Sequence, residues 1–274
     1  KFIKKGIYVL GKEVKKFETN ISKKTHNKYS VGVSSGTNAI YLALMALGIK
    51  KGDQVIVPCL SWYSTFTAVA MIGAIPIGVD IGNDLLLNEE LIKSKINKKT
   101  KAIIFVHFTG LVKDLSNLYR FCKKKKIFLI EDCAQSFGSK VDNKMAGSFG
   151  DVATFSMNPM KVFAAIGDAG VVSTSNKKIY NKSLILRYAG VDMSKDQCIY
   201  PNLNHKIDTL QAQVLNNKLK NINDVIKKRI FNAEFYEKNL TEEIIKPIFK
   251  NNYEHIYYTY VIRCKKRNIL QNYL

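Results

Sequence analysis

The chain has 274 residues, 46% of them hydrophobic, which is enough for one sizeable core or for one large domain and part of a second. Its net charge is +21, yet the lysines stand singly or in short runs such as Lys123–Lys126, with no basic stripe interleaved with aromatics. That pattern argues against a nucleic-acid binder, although a positive surface favours anionic small substrates. Five cysteines, at 59, 122, 133, 198 and 264, form no C-x-x-C pair, which argues against a disulfide framework and a zinc ribbon, and no metal centre is expected. No apolar run approaches membrane-spanning length, and Lys1–Lys5 leads into no apolar signal segment, so the expectation is a reduced, cytoplasmic protein away from membranes.

Residues 6–20 read as a helix with Leu10, Val14 and Phe17 as its spaced apolar positions. A β segment at 29–33 runs into Ser34-Ser35-Gly36-Thr37-Asn38 and the apolar helix 39–47. Such a turn is either an ordinary N-cap or an anion site built from free backbone N–H groups. Then strands at 54–58, 75–80, 101–106 and 127–132 alternate with helices at 65–72, 88–96 and 114–126. Near-continuous apolar strands alternating with helices imply a mostly parallel sheet covered on both faces, whose ligands bind beyond the strands' carboxyl ends. Ser35, Trp62, His107 and Asp132 lie at or just past such ends. Residues 137–150 read as a small-residue loop, 152–156 and 170–174 as β segments, 177–188, 208–219 and 222–240 as helices, and 257–263 as a strand. There is no G-x-G-x-x-G and no P-loop motif.

Between the β segments 152–156 and 170–174 sits Lys161, and no other lysine occurs between Lys144 and Lys177. A lone lysine past a strand, among the apolar and small residues 162–170, suits Schiff-base chemistry, because desolvation lowers the amine's pKa; a solvated or salt-bridged lysine is the alternative.

Several stretches together resemble the pyridoxal-phosphate-dependent sugar aminotransferases of the DegT/DnrJ/StrS type, within the fold-type-I aminotransferases. They are Ser35-Gly36-Thr37, Pro58 with Trp62, Glu131-Asp132-Cys133-Ala134-Gln135-Ser136, Gly150-Asp151 leading into Ser156–Lys161, Gly167-Asp168-Ala169-Gly170, and Asn204-His205-Lys206. The resemblance implies a three-layer α/β/α fold with a mostly parallel sheet. It divides the chain into a large cofactor-binding domain (1–225) and the start of a small C-terminal α+β domain (226–274), with roughly twenty residues wanting at the start and on the order of a hundred at the end.

The resemblance also implies roles. Lys161 would hold the cofactor as an imine and shuttle the proton at the substrate carbon. Asp132 would pair with the ring nitrogen, Gln135 would bond the ring hydroxyl, and Trp62 would stack on the ring. Gly36, Thr37 and Ser156 would hold the phosphate, and Asn204 would reach the partner subunit's phosphate in an obligatory homodimer. His107, similar to the family's Val-His pattern, is a possible substrate-side group. The sequence departs from the family in having Cys133 for Ala, Asn158 for His, Met160 for Thr and Lys206 for Arg.

The implied activity is transfer of an amino group from L-glutamate or glutamine to a nucleotide-linked keto-sugar, for amino-sugar and surface-polysaccharide (O-antigen) synthesis. The alternatives are the same chemistry on a cyclitol or other small ketone, a sugar dehydratase, which in this family replaces the lysine by histidine, and a non-catalytic basic binding protein.

Overall fold

The computed structural model describes residue 4, residues 6–248 and residues 253–274. In chain order the elements are α1 (Lys12–Lys24), β1 (Tyr29–Val33), α2 (Gly36–Ala46), β2 (Gln54–Pro58), α3 (Ser64–Met71), β3 (Ile75–Val79), α4 (Glu89–Lys95), β4 (Thr100–Val106), α5 (Ser116–Lys125) and β5 (Phe128–Asp132). A small hairpin, β6 (Lys140–Val141) and β7 (Lys144–Met145), precedes β8 (Val152–Ser156) and β9 (Gly170–Thr174). There follow α6 (Lys177–Arg187), β10 (Val191–Asp192), β11 (Gln197–Cys198), α7 (Thr209–Lys218), α8 (Ile222–Asn239), β12 (Tyr253–Glu254) and α9 (Arg267–Tyr273).

Among the described residues, seven strands form one sheet in the order β1-β9-β8-β5-β4-β2-β3. The pairs from β8 to β3 are parallel, whereas β9 runs antiparallel to both neighbours. Alternate residues of each strand enter different cores, as the pleat requires. Ile56, Ile103, Phe105, Leu129 and Phe155 pack with Phe17 of α1 and Leu118 and Cys122 of α5. Val55, Val57, Ala102, Ile104 and Ile130 pack with Leu44 of α2 and Ala68 and Val69 of α3. Val31, Val33, Val152 and Val172 pack with Ala39, Leu42 and Ala43 of α2 and Leu186 of α6. The expected three-layer α/β/α architecture is the one observed.

Three expectations are corrected. The first helix begins at Lys12, not residue 6, because Gly6 and Leu10 take left-handed backbone angles (φ +69° and +48°), and Val9 bridges to Asp208 instead. Residues 137–150 are not all loop, since β6 and β7 pair within them and β12 joins at their edge. Residues 257–263 are not a strand. Tyr257 has φ +48°, Arg229 Nη1 donates to the carbonyls of Tyr257 and Tyr258, and only Arg263 makes a β-bridge, to Ile245. A carbonyl held by a guanidinium is not free for a sheet ladder. The helix α8 runs unbroken across residues 225 and 226. No helix among the described residues is long and apolar enough to cross a membrane.

Candidate active site

The carboxyl ends of β1, β2, β5 and β8 border a cleft of about 440 Å³, a size suited to a cofactor. At one end lies the start of α2. Ser35 caps the helix by accepting from Asn38 N–H at 3.1 Å, and the geometry of a helix start leaves the N–H groups of Gly36 and Thr37 without intrahelical acceptors. This turn sits tightly on the sheet. A Cβ on Gly36 would fall 2.5 Å from Ser156 Cβ, and one on Gly170 would fall 2.3 Å from the Ser35 carbonyl oxygen. Gly170 pairs in register with both Val33 and Ser156, so the helix start, Ser156 and β9 meet at one point. Thr37 and Ser64 share a 2.7 Å hydroxyl bond there.

Lys161 is placed by local chemistry. Asn158 Oδ1 accepts from Met160 N–H at 3.1 Å, Asn158 O accepts from Lys161 N–H at 2.8 Å, and Pro159 occupies the second turn position. Met157 is buried and ties the loop down through its N–H to Ala169 O at 2.8 Å. The asparagine that departs from the family's histidine is therefore the residue that folds this turn, and its Nδ2 also donates to Asp168 at 2.8 Å. Lys161 is half-buried and lines the cleft; its Nζ donates to the Tyr258 hydroxyl at 3.3 Å and lies 4.5 Å from that ring's centroid.

Asp132 ends β5 at 5% exposure. Burial pushes its carboxyl above the ordinary value of 3.8, against the opposing pull of Ala134 N–H (3.0 Å), the Lys161 charge and the Thr65 hydroxyl (3.4 Å). A buried carboxylate with so few donors has room for a further one. Gln135 is buried beside it; its Oε1 accepts from Thr109 N–H at 2.8 Å. Trp62 lines the cleft at 68% exposure, with its ring edge-on to Tyr63, so it is not a core aromatic.

The structure thus brings Gly36, Thr37, Trp62, Asp132, Gln135, Ser156 and Lys161 together around one cleft. Two expected residues lie elsewhere. Asn204 is exposed, outside this chain's own cleft, with its Oδ1 accepting from Lys206 N–H at 3.2 Å. His107 is corrected as a substrate-side group: it is 0% exposed, does not line the cleft, and bonds through Nε2 to Glu131 Oε2 at 2.9 Å. Its Nδ1 is buried without a partner among the described residues. His107, Glu131 and Cys133 bring possible ligand atoms within 4.8 Å of one another. Glu131, however, already accepts from Gly147, Phe149 and Gly150 N–H as well as from His107, which engages its lone pairs.

Sequence reasoning missed Glu131, Thr65 and Tyr258. The run Ser61-Trp62-Tyr63-Ser64-Thr65 carried a signal in its clustered hydroxyls; Tyr258, 97 residues from Lys161, carried none.

The donor set fits pyridoxal phosphate: an amine, a buried carboxylate short of donors, and a helix start with hydroxyls and a glycine whose Cβ would close the cradle. Comparison with known proteins agrees. The model of the DegT/DnrJ/EryC1/StrS aminotransferase family matches residues 1–274. The dTDP-3-amino-3,4,6-trideoxy-alpha-D-glucose transaminase of Micromonospora megalomicea subsp. nigra is 32% identical over 269 residues, 96% of this chain and 72% of that protein. The GDP-perosamine synthase of Escherichia coli O157:H7 is 34% identical over 272 residues, 96% of this chain and 74% of that one. The crystal structure of NtdA from Bacillus subtilis with bound cofactor PMP superposes with a TM-score of 0.91 at 30% identity, covering 98% of this chain and 62% of that chain. The chain belongs to the DegT/DnrJ/EryC1/StrS aminotransferase family and is a pyridoxal-phosphate-dependent transaminase.

Proposed function

We propose that this transaminase takes its amino group from L-glutamate and delivers it to a keto-sugar carried on a nucleoside diphosphate, for amino-sugar synthesis. The observation that carries the reading is a half-buried amine and a buried carboxylate in one cleft with a helix-start cradle. The acceptor class rests on the relatives, named for dTDP- and GDP-linked sugars, and the net charge of +21 suits a substrate carrying a diphosphate.

When bound, pyridoxal phosphate supplies a carbonyl carbon for the amine and a ring that stores the electron pair left when the substrate carbon loses its proton. The chain would do the rest. Gly36 and Thr37 N–H, the Thr37 hydroxyl and Ser156 would hold the phosphate. Asp132, carried as a carboxylate once it faces a protonated ring nitrogen, would keep that nitrogen charged. Gln135 would bond the ring hydroxyl and Trp62 would cover one ring face. Lys161 Nζ would hold the cofactor covalently and carry the proton at the substrate carbon. Asn204, which is exposed and does not line its own cleft, would complete the phosphate site of a second copy. In the same reading residues 1–225 form the cofactor domain and 226–274 begin a smaller one.

The test is to add pyridoxal phosphate to the protein and follow absorbance near the visible edge. A new band is expected in the parent and none in Lys161→Ala; a band that survives the substitution sinks the site. Glutamate with a panel of dTDP-, GDP- and UDP-linked keto-sugars then names the acceptor. Turnover on free cyclitol ketones, with none on the nucleotide sugars, would replace that part. Mixing the Lys161→Ala and Asn204→Ala proteins restores turnover if two copies share each site.

A further inference from the structure

Lys161 has two duties in the proposed reaction, to bond the cofactor and to carry a proton, and both need its amine held at one place in the cleft. What the structure sets against Nζ is Tyr258, with its hydroxyl at 3.3 Å and its ring centroid at 4.5 Å. Both contacts fix the position of the amine, the hydroxyl by accepting from it and the ring face by lying under it.

Tyr258 is not a loose surface residue that happens to reach the cleft. The segment 255–259 is fastened on several sides. Arg229 Nη1 donates to the carbonyls of Tyr257 (3.0 Å) and Tyr258 (3.2 Å). Buried His255 accepts from Tyr257 N–H through Nδ1 at 2.8 Å and meets Thr109 Oγ1 through Nε2 at 3.3 Å. Thr109 N–H in turn donates to Gln135, at the cleft. Gly110 lets the segment close in, since a Cβ there would lie 2.9 Å from Ile256 Cγ1 and 3.2 Å from Tyr258 N. Tyr257 holds a left-handed backbone angle (φ +48°), a conformation that a bulky residue keeps only when its surroundings impose it. A strap bent and anchored in this way presents one side chain to one amine.

We infer that Tyr258 is the positioning residue for Lys161: its ring and hydroxyl hold Nζ over the cleft whenever the amine is not bonded, in place to bond the cofactor. The inference rests on the proposed role of Lys161. The other ionisable groups lining the cleft are Asp132 and Asp168, and they are common to every variant compared below.

The experiment measures, at one pH, how fast cofactor-free protein captures pyridoxal phosphate as the visible-edge band, for the parent, Tyr258→Phe and Tyr258→Leu. An amine no longer held in place meets the cofactor less often in a bonding geometry. The capture rate is therefore expected to fall about threefold in Tyr258→Phe, which keeps the ring, and about tenfold in Tyr258→Leu, which keeps neither contact. In turnover Tyr258→Phe is expected to lose roughly tenfold in kcat with KM within about twofold. If the Leu variant fails to fold, the Phe variant decides alone. Capture rates equal to the parent's overturn the inference even if kcat falls, as does a raised KM at unchanged kcat, which would make Tyr258 a substrate-binding group. A parent protein that captures no cofactor defeats the reading of Lys161 first, and this inference with it.

Discussion

Glu131 and Asp132 are neighbours in β5, both buried, and they end up in opposite situations. Strand geometry sends them to opposite faces of the sheet. Glu131 meets a ring of donors: three backbone N–H groups from residues 147–150 and the His107 imidazole. Asp132 meets two among the described residues, one of them a 3.4 Å hydroxyl, and burial drives its carboxyl upward. The first acid is satisfied within the fold and fastens the 147–150 loop to the sheet. The second is left short at the floor of a cleft. A buried carboxylate whose lone pairs are not all used is the one that awaits a ligand.

The largest expected effect tests the open member of that pair. Asp132→Asn lowers kcat roughly 10³-fold, about 4 kcal/mol, while the cofactor-free protein keeps its stability in urea within about 1 kcal/mol. The sign of its pH dependence follows from the raised pKa. The folded protein holds the Asp132 proton longer than the unfolded chain, so this group's contribution is full below the ordinary 3.8 and is lost as pH climbs through the raised folded value. The parent should accordingly lose stability relative to Asp132→Asn over that climb; curves that stay parallel would remove the distinction between the two acids.

Glu131→Gln should do the reverse, destabilising the fold by about 4 kcal/mol in urea unfolding, because N–H groups arranged for a carboxylate lose its charge and half its acceptor capacity. A Glu131→Gln protein of normal stability but poor turnover would place that acid in the chemistry.

His255 belongs with Glu131, since both its ring nitrogens are engaged. Burial lowers its pKa from 6.5 to about 4. The unfolded chain takes up this proton as pH falls below 6.5 and the folded protein does not until about 4, so stability drops over that window by up to about 3 kcal/mol. Comparing the parent with His255→Gln in urea at pH 7 and pH 4.5 isolates the term. The smallest effect belongs to the cradle. Gly36→Ala sets a methyl group against Ser156 and should weaken pyridoxal phosphate binding by about 2 kcal/mol, read by cofactor titration.

Most of the sheet was legible in the sequence because its strands are short apolar runs bounded by turns; 29–33, 54–58, 152–156 and 170–174 have the expected bounds. Residues 257–263 failed for the opposite reason. Their tyrosines and valine have strand propensity, but Arg229 and a left-handed Tyr257 override it through contacts remote in sequence. The cleft was legible where a side chain sits at or just past a strand end, as Asp132 and Lys161 do. It was opaque where a role depends on what lies opposite. Glu131 and Asp132 are adjacent acids in the sequence, and only the distant loop 147–150 separates their fates. His107 looked available past its strand until the fold buried it.

The antiparallel β9 has a consequence in time. It lies between β1 and β8, so β1 cannot enter the sheet until Gly170–Thr174 arrives. The helix start at Ser35–Thr37 leaves the ribosome early, yet the floor it rests on, Ser156 and Gly170, is made more than a hundred residues later. At about 5–20 residues per second, that leaves the emerging amino-terminal segment without its sheet partner for roughly 10 seconds. During that wait β1 exposes unpaired edges, and α2 exposes the apolar face that it later buries against β8 and β9. The helix start at Ser35–Thr37 therefore gains its floor among the last parts of the large sheet to be assembled, and a nascent chain arrested before residue 170 should be unable to retain the cofactor.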